Sequence, residues 1–138
     1  MAAAGRIGAP LRTAYSAAKH GLIGYMDALR SETELLHNIQ VTNILPGSIR
    51  TDVSRNAMTK DGDRRGKSDD VIDNGMPPEE CARQILDAVD NNVPELIIAD
   101  GPELLMAQMR QSDPEKLFEM AAQFGAETAR RYEAGDDD

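Results

Sequence analysis

Two short apolar runs decide most of what this chain can become. Gln40 to Leu45 (Gln-Val-Thr-Asn-Ile-Leu) is rich in β-branched residues and stops at Pro46-Gly47, and Glu95 to Ala99 holds Leu96, Ile97 and Ile98 in succession before Asp100-Gly101-Pro102. Runs of that length closed by turn residues predict strands. Three apolar residues in a row predict burial on both faces, the habit of parallel sheets. Between the two runs, a polar stretch from Arg50 to Gly75 gives way to a helix from about Pro78 to Asn91, with Ala82, Ile85, Leu86 and Val89 on one face. Strand, crossover helix, strand is a βαβ unit, so the expected class is α/β with a parallel sheet. Only two strands are evident, and a buried parallel pair needs neighbours on its flanks.

The rest reads as helix. Ala18, Leu22, Tyr25, Met26, Leu29 and Leu36 recur at spacings of three, four and seven, predicting a helix over residues 12 to 37. Gly21 and Gly24 lie inside it, each weakening it by up to ~1 kcal/mol relative to alanine. They predict a close neighbour on that side, most naturally another helix. Ser112-Asp113-Pro114-Glu115 reads as a helix start with a capping side chain, a proline in the first turn and an acid near the positive end of the dipole. Leu117, Ala121, Phe124, Thr128 and Tyr132 follow on one stripe, and Asp136-Asp137-Asp138 form an acidic tail.

Charge and composition narrow the function. A chain of 138 residues makes one domain, and a net charge of −9 repels phosphate backbones, which argues against nucleic acid as the partner. No apolar stretch is long enough to span a membrane. The single cysteine, Cys81, excludes an internal disulfide and a cysteine-rich metal site, and fits a reducing cytoplasm. Cys81 reads as core-facing. His20 and His37 read as structural or solvated, the latter suiting the negative end of its helix dipole. Asp69, Asp70 and Asp73 lack the spacing of a calcium loop, and no metal is expected. From Arg50 to Lys67 there are six basic residues and three acidic ones, a local excess of cations open to two readings: a solvated loop or a site for an anionic substrate or cofactor phosphate.

The chemistry starts at Tyr15-Ser16-Ala17-Ala18-Lys19. A phenol and an ammonium four residues apart share a helix face. A free tyrosine, with a pKa near ~10, is a poor base at neutral pH, and a neighbouring cation stabilises its phenolate. By itself such a pair is commonplace on amphipathic helices. Here Ala4-Gly5-Arg6-Ile7-Gly8-Ala9-Pro10 precedes it, and Pro46-Gly47-Ser48-Ile49-Arg50-Thr51 follows the first predicted strand. In that order and at those separations, the three elements resemble the short-chain dehydrogenase/reductase family. The stretches Thr51 to Gly62 and Gly75 to Ala82 look like its members related to microsomal carbonyl and steroid reductases.

The resemblance implies the C-terminal part of a Rossmann-like doubly wound parallel sheet, with residues 1–135 as the C-terminal half of the domain. It implies NAD or NADP as cofactor and a small alcohol or ketone as substrate. Tyr15 would be the general acid/base, and Lys19 would lower its pKa and hydrogen-bond the nicotinamide ribose. Pro46, Gly47, Ser48, Ile49 and Thr51 would form the cofactor loop at the carboxyl end of a strand, where open α/β sheets bind ligands. Thr51 would meet the cofactor's carboxamide or phosphate region, and Asp52 to Gly75 would be the substrate lid.

No glycine-rich turn after a strand precedes Tyr15. The family's catalytic serine falls roughly thirteen residues before the tyrosine, where this chain has Ala2. The expectation is therefore a partial chain, probing either of two roles: the proton-transfer half of a reductase, or a non-catalytic remnant pairing through helix 12–37 as a homo-oligomer.

Overall fold

The computed structural model describes residues 5–59 and 61–135. In chain order it contains α1 (Thr13–His37), β1 (Asn43–Pro46), α2 (Asp70–Asp73), α3 (Pro78–Asp90), β2 (Glu95–Ile98), α4 (Gly101–Ser112) and α5 (Pro114–Glu133). The strands pair in parallel, with Asn43 opposite Glu95 and Pro46 opposite Ile98. The α/β class and the βαβ unit are as the sequence predicts. Pro46 has no amide proton and ends its strand, while Gly47 extends the ladder by one bond, its amide donating to the Ile98 carbonyl at 2.6 Å.

Ile98, only 1% exposed, and Leu45 form the buried centre of the sheet. Beneath it, α3 contributes Cys81, core-facing as expected, and Ala88; of the face expected from Ala82, Ile85, Leu86 and Val89 only Ile85 is half-buried, and the other three are exposed. A helix buries whichever stripe meets the strand beside it, and on α3 that stripe runs through Cys81, Ile85 and Ala88. Burial pushes the Cys81 thiol up.

Gly101 takes a left-handed turn (φ +54) directly after β2, letting α4 start at once with Pro102 in its first turn, where a missing amide costs nothing. Asp113 joins α4 to α5, and its carboxylate accepts the Lys116 amide at 3.1 Å as the predicted cap. Ala107, Met109 and Leu117 are buried in this helical hairpin. Further along α5, Phe124 and Tyr132 are exposed and Thr128 is half-buried, so its stripe is covered only in part.

α1 is fastened to the sheet by polar side chains as well as by apolar ones. The Arg30 guanidinium donates to the Val41 carbonyl (3.1 Å) and the Pro94 carbonyl (2.6 Å), and the Asn43 amide donates to Asp27 (2.9 Å). Leu22, Ile23 and Met26 line a cleft of about 180 Å³ against residues 41–45. The outer side of the helix is bare: Tyr25, Leu35 and Leu36 are exposed. A methyl group built at Gly21 or Gly24 would meet nothing within 4 Å, so the close neighbour expected there is not supplied by the described residues. Asn38 closes the helix in the left-handed conformation.

Candidate active site

The first two turns of α1 carry the phenol and the ammonium. Lys19 Nζ lies 5.5 Å from the centroid of the Tyr15 ring, the one-turn juxtaposition expected of residues four apart. Tyr15 is 47% exposed, and among the described residues neither its hydroxyl nor Lys19 Nζ takes a hydrogen bond. The residue between them that anchors the helix is Ser16, which is buried; its hydroxyl accepts the Ala9 amide at 3.1 Å. His20 Nδ1 donates to the Ser16 carbonyl at 2.8 Å, which gives this histidine the structural part expected of it.

The second component is the loop after β1. Ser48 donates its amide to one oxygen of Glu103 (3.0 Å) and its hydroxyl to the other (2.8 Å). Its carbonyl accepts the Met76 amide at 2.9 Å, and the Arg50 amide donates to the Met76 carbonyl at 3.0 Å. Ile49 and Met76 therefore pair like a short parallel bridge. Gly75 makes that approach possible: a Cβ there would sit 2.4 Å from the Ser48 carbonyl oxygen. Pro46, Gly47, Ser48 and Ile49 are thus gathered at the carboxyl end of the sheet, and Thr51 beyond them is exposed. No hydrogen bond among the described residues ties this loop to Tyr15 or Lys19. Ala2, Lys60 and residues 136–138 lie outside the described residues.

The segment from Asp52 to Gly75 folds back on itself. Met58 and Arg64 form an antiparallel bridge, and Asp69 fastens the two ends, accepting from Arg65 (2.6 Å) and from the buried Ser54 hydroxyl (2.8 Å). The Arg65 hydrogen bond, against a smaller opposing effect of burial and helped by Ser54, holds the Asp69 carboxyl below the usual carboxylate range. A carboxyl with a lowered folded pKa stabilises the fold above its unfolded value, and that contribution is lost as pH falls through the folded one. Acidification below about pH 4 should therefore release the segment, seen as faster proteolysis between Ser54 and Asp69. Asp69→Asn should show the faster cleavage at neutral pH and lose this pH dependence; unchanged cleavage in the variant would refute the fastening.

Sequence reasoning places the Tyr15/Lys19 pair and the Pro46–Thr51 loop, but misses what holds the loop. The Arg65–Asp69 pair was detectable at its i,i+4 spacing. The Ser48–Glu103 pair, 55 residues apart, has no local signal. Among the described residues there is no cluster of three metal-ligating side chains, and no helix is long and apolar enough to cross a membrane.

A family model described as short chain dehydrogenase matches residues 1–62. Dehydrogenase/reductase SDR family member 7B of Bos taurus is 37% identical over 118 residues, covering 86% of this chain and 36% of that protein. The same-named protein of Xenopus tropicalis is 38% identical over 118 residues, 86% of this chain and 38% of its own length. Dehydrogenase/reductase SDR family protein 7-like of Drosophila melanogaster is 36% identical over 114 residues, 83% and 35% respectively. The chain thus spans a little over a third of the length of these relatives. No solved structure matches it significantly.

Proposed function

We propose that this chain, which belongs to the short-chain dehydrogenase/reductase family, is the proton-transfer and substrate-side portion of an NAD(P)-dependent oxidoreductase interconverting a hydroxyl and a carbonyl. Members of this family act on small molecules and generally use NAD(P), whose nicotinamide, when bound, supplies or accepts the hydride. The observation that carries the reading is the Lys19 ammonium 5.5 Å over the Tyr15 ring at the head of α1. A half-exposed phenol with no hydrogen-bond partner among the described residues is free to give a proton to a substrate oxygen or take one from it.

The residues at the strand ends suit the nicotinamide end of the cofactor. Pro46 to Thr51 lies where a parallel sheet offers its carboxyl edge, and its backbone is already fixed by Met76 and Glu103. Lys19 would hold the ribose. The apolar side chains Val53 and Met58, exposed on the Asp52–Gly75 segment, would face an apolar alcohol or ketone. In this reading the remaining strands of the sheet, and the turn that receives the cofactor pyrophosphate, would come from polypeptide beyond these two strands. The single free cysteine, Cys81, supports a reducing compartment, the cytoplasm, as the proposed location.

A second reading rests on α1 itself. Bare Gly21 and Gly24 beside exposed Leu22, Tyr25 and Leu36 leave a helix face without a partner in the described chain, as a non-catalytic pairing element would have. Titration of the purified chain with NADPH and NADH, followed by cofactor fluorescence, separates the two. Saturable binding supports the oxidoreductase; no change up to high micromolar nucleotide, with a folded circular dichroism spectrum, leaves the pairing element standing.

A further inference from the structure

Glu103 stands in the first turn of α4 and reaches the loop after β1 with both carboxylate oxygens. One accepts the Ser48 amide at 3.0 Å and the other the Ser48 hydroxyl at 2.8 Å. Both bonds are charge-assisted, and as a fork they fix the backbone and the side chain of one residue together. On one side of that residue, Gly47 is tied to the Ile98 carbonyl at 2.6 Å; on the other, the Ser48 carbonyl receives the Met76 amide at 2.9 Å. The end of β2, the start of α4 and the turn before α3 therefore converge on a single loop position. Of these ties only the one from Glu103 is made by a side chain, so it alone can be altered without disturbing a backbone ladder.

We infer that Glu103 is a positioning residue for cofactor binding: it holds Pro46 to Thr51 in the shape that receives the nicotinamide end, without touching the cofactor itself. The inference rests on the oxidoreductase reading above. It calls for a carboxylate, whose charge strengthens the bonds to both the Ser48 amide and the Ser48 hydroxyl. The isosteric amide of Glu103→Gln keeps one acceptor for the Ser48 amide and can only donate to the Ser48 hydroxyl oxygen, so both bonds lose the charge that assists them.

The test is a two-residue cycle in the full chain, read by NADPH titration, amide hydrogen exchange and thermal melting. Glu103→Gln should weaken NADPH binding about tenfold and speed exchange of the residue 48 amide by a similar factor, with exchange in α1 unchanged. Ser48→Ala removes one of the two donors and already breaks the fork, so adding Glu103→Gln should cost clearly less affinity than it does in the wild-type chain. That rescue separates positioning from a general loss of stability, which would make the two changes add and would quicken exchange in α1 as well. NADPH affinity within twofold of wild type in Glu103→Gln, or additive losses in the double variant, would overturn the inference. Nucleotide binding by neither the wild-type chain nor the reductase containing it sinks the oxidoreductase reading and the cofactor role with it. In that event, slower exchange at residue 48 in wild type than in Glu103→Gln would still show the loop to be held by Glu103.

Discussion

Tyr15→Phe should cut turnover of the active reductase containing this chain by about a thousandfold, the usual worth of a positioned proton donor, or roughly 4 kcal/mol of barrier. The substitution removes one oxygen and little else. The ring is 47% exposed, and its hydroxyl takes no hydrogen bond among the described residues, so the fold loses nothing by its departure. Lys19 sits over the ring at 5.5 Å, and a phenylalanine offers the same negative face to the ammonium, so the cation stays in place. The expected signature is a collapsed kcat with nucleotide affinity within about twofold of wild type. Full turnover in the variant would remove the phenol from the mechanism. A parallel loss of nucleotide binding would mean that the ring holds the cofactor instead of serving the proton.

The second large effect is expected where no side chain exists. Gly75→Ala should destabilise the chain by about 3 kcal/mol and lower its melting temperature by roughly 10 °C. The new methyl group would meet the Ser48 carbonyl oxygen at 2.4 Å, the Ser48 carbonyl carbon at 2.7 Å and the Ile49 nitrogen at 3.1 Å. All three are backbone atoms, so no flexible side chain can swing away. Relief must come from parting the two segments, which breaks the Met76-to-Ser48 and Arg50-to-Met76 hydrogen bonds. The same substitution at Gly21 is the control, since nothing stands within 4 Å of its added carbon. There the gain in helix propensity, up to ~1 kcal/mol, should appear as a small rise in melting temperature. Equal melting temperatures for Gly75→Ala and wild type would show that the two segments part freely.

How far these features could be read from sequence depends on the range of the interaction. α1 was legible to within a residue, expected from 12 and found from Thr13, because its signal is a periodicity carried by the segment itself. β2 was likewise plain in Leu96-Ile97-Ile98. The Tyr15/Lys19 pair was legible for the same local reason, and the Pro46-Gly47 stop marked the loop. The orientation of α3 was legible only in part: Cys81 read as core-facing and is buried, and Ile85 is half-buried, but Ala82, Leu86 and Val89 of the obvious apolar set are exposed. Which stripe is covered is decided by the strand it meets, and the helix's own sequence holds no record of that. α4 had no boundary in the sequence because Gly101-Pro102 reads as the end of a strand, whereas a left-handed glycine followed by proline also begins a helix. Glu103 carries no mark in the sequence; its bond to Ser48 exists only once β2 and α4 have brought it round.

The tight approach at Gly75 also bears on how the protein ages. Asn74-Gly75 is the dipeptide in which a backbone nitrogen most readily attacks the preceding side-chain amide, closing a succinimide ring and leaving aspartate or isoaspartate behind. Here both reactants are engaged: the Gly75 nitrogen donates to the Ile72 carbonyl at 3.0 Å, and the Asn74 amide donates to the Asp70 carbonyl at 2.8 Å. Ring closure needs a backbone free to swivel, and the wall of Ser48 atoms denies it that freedom. Deamidation at this spot is therefore slaved to opening of the loop, and a stored sample carries in its isoaspartate content a chemical tally of how often that opening has occurred.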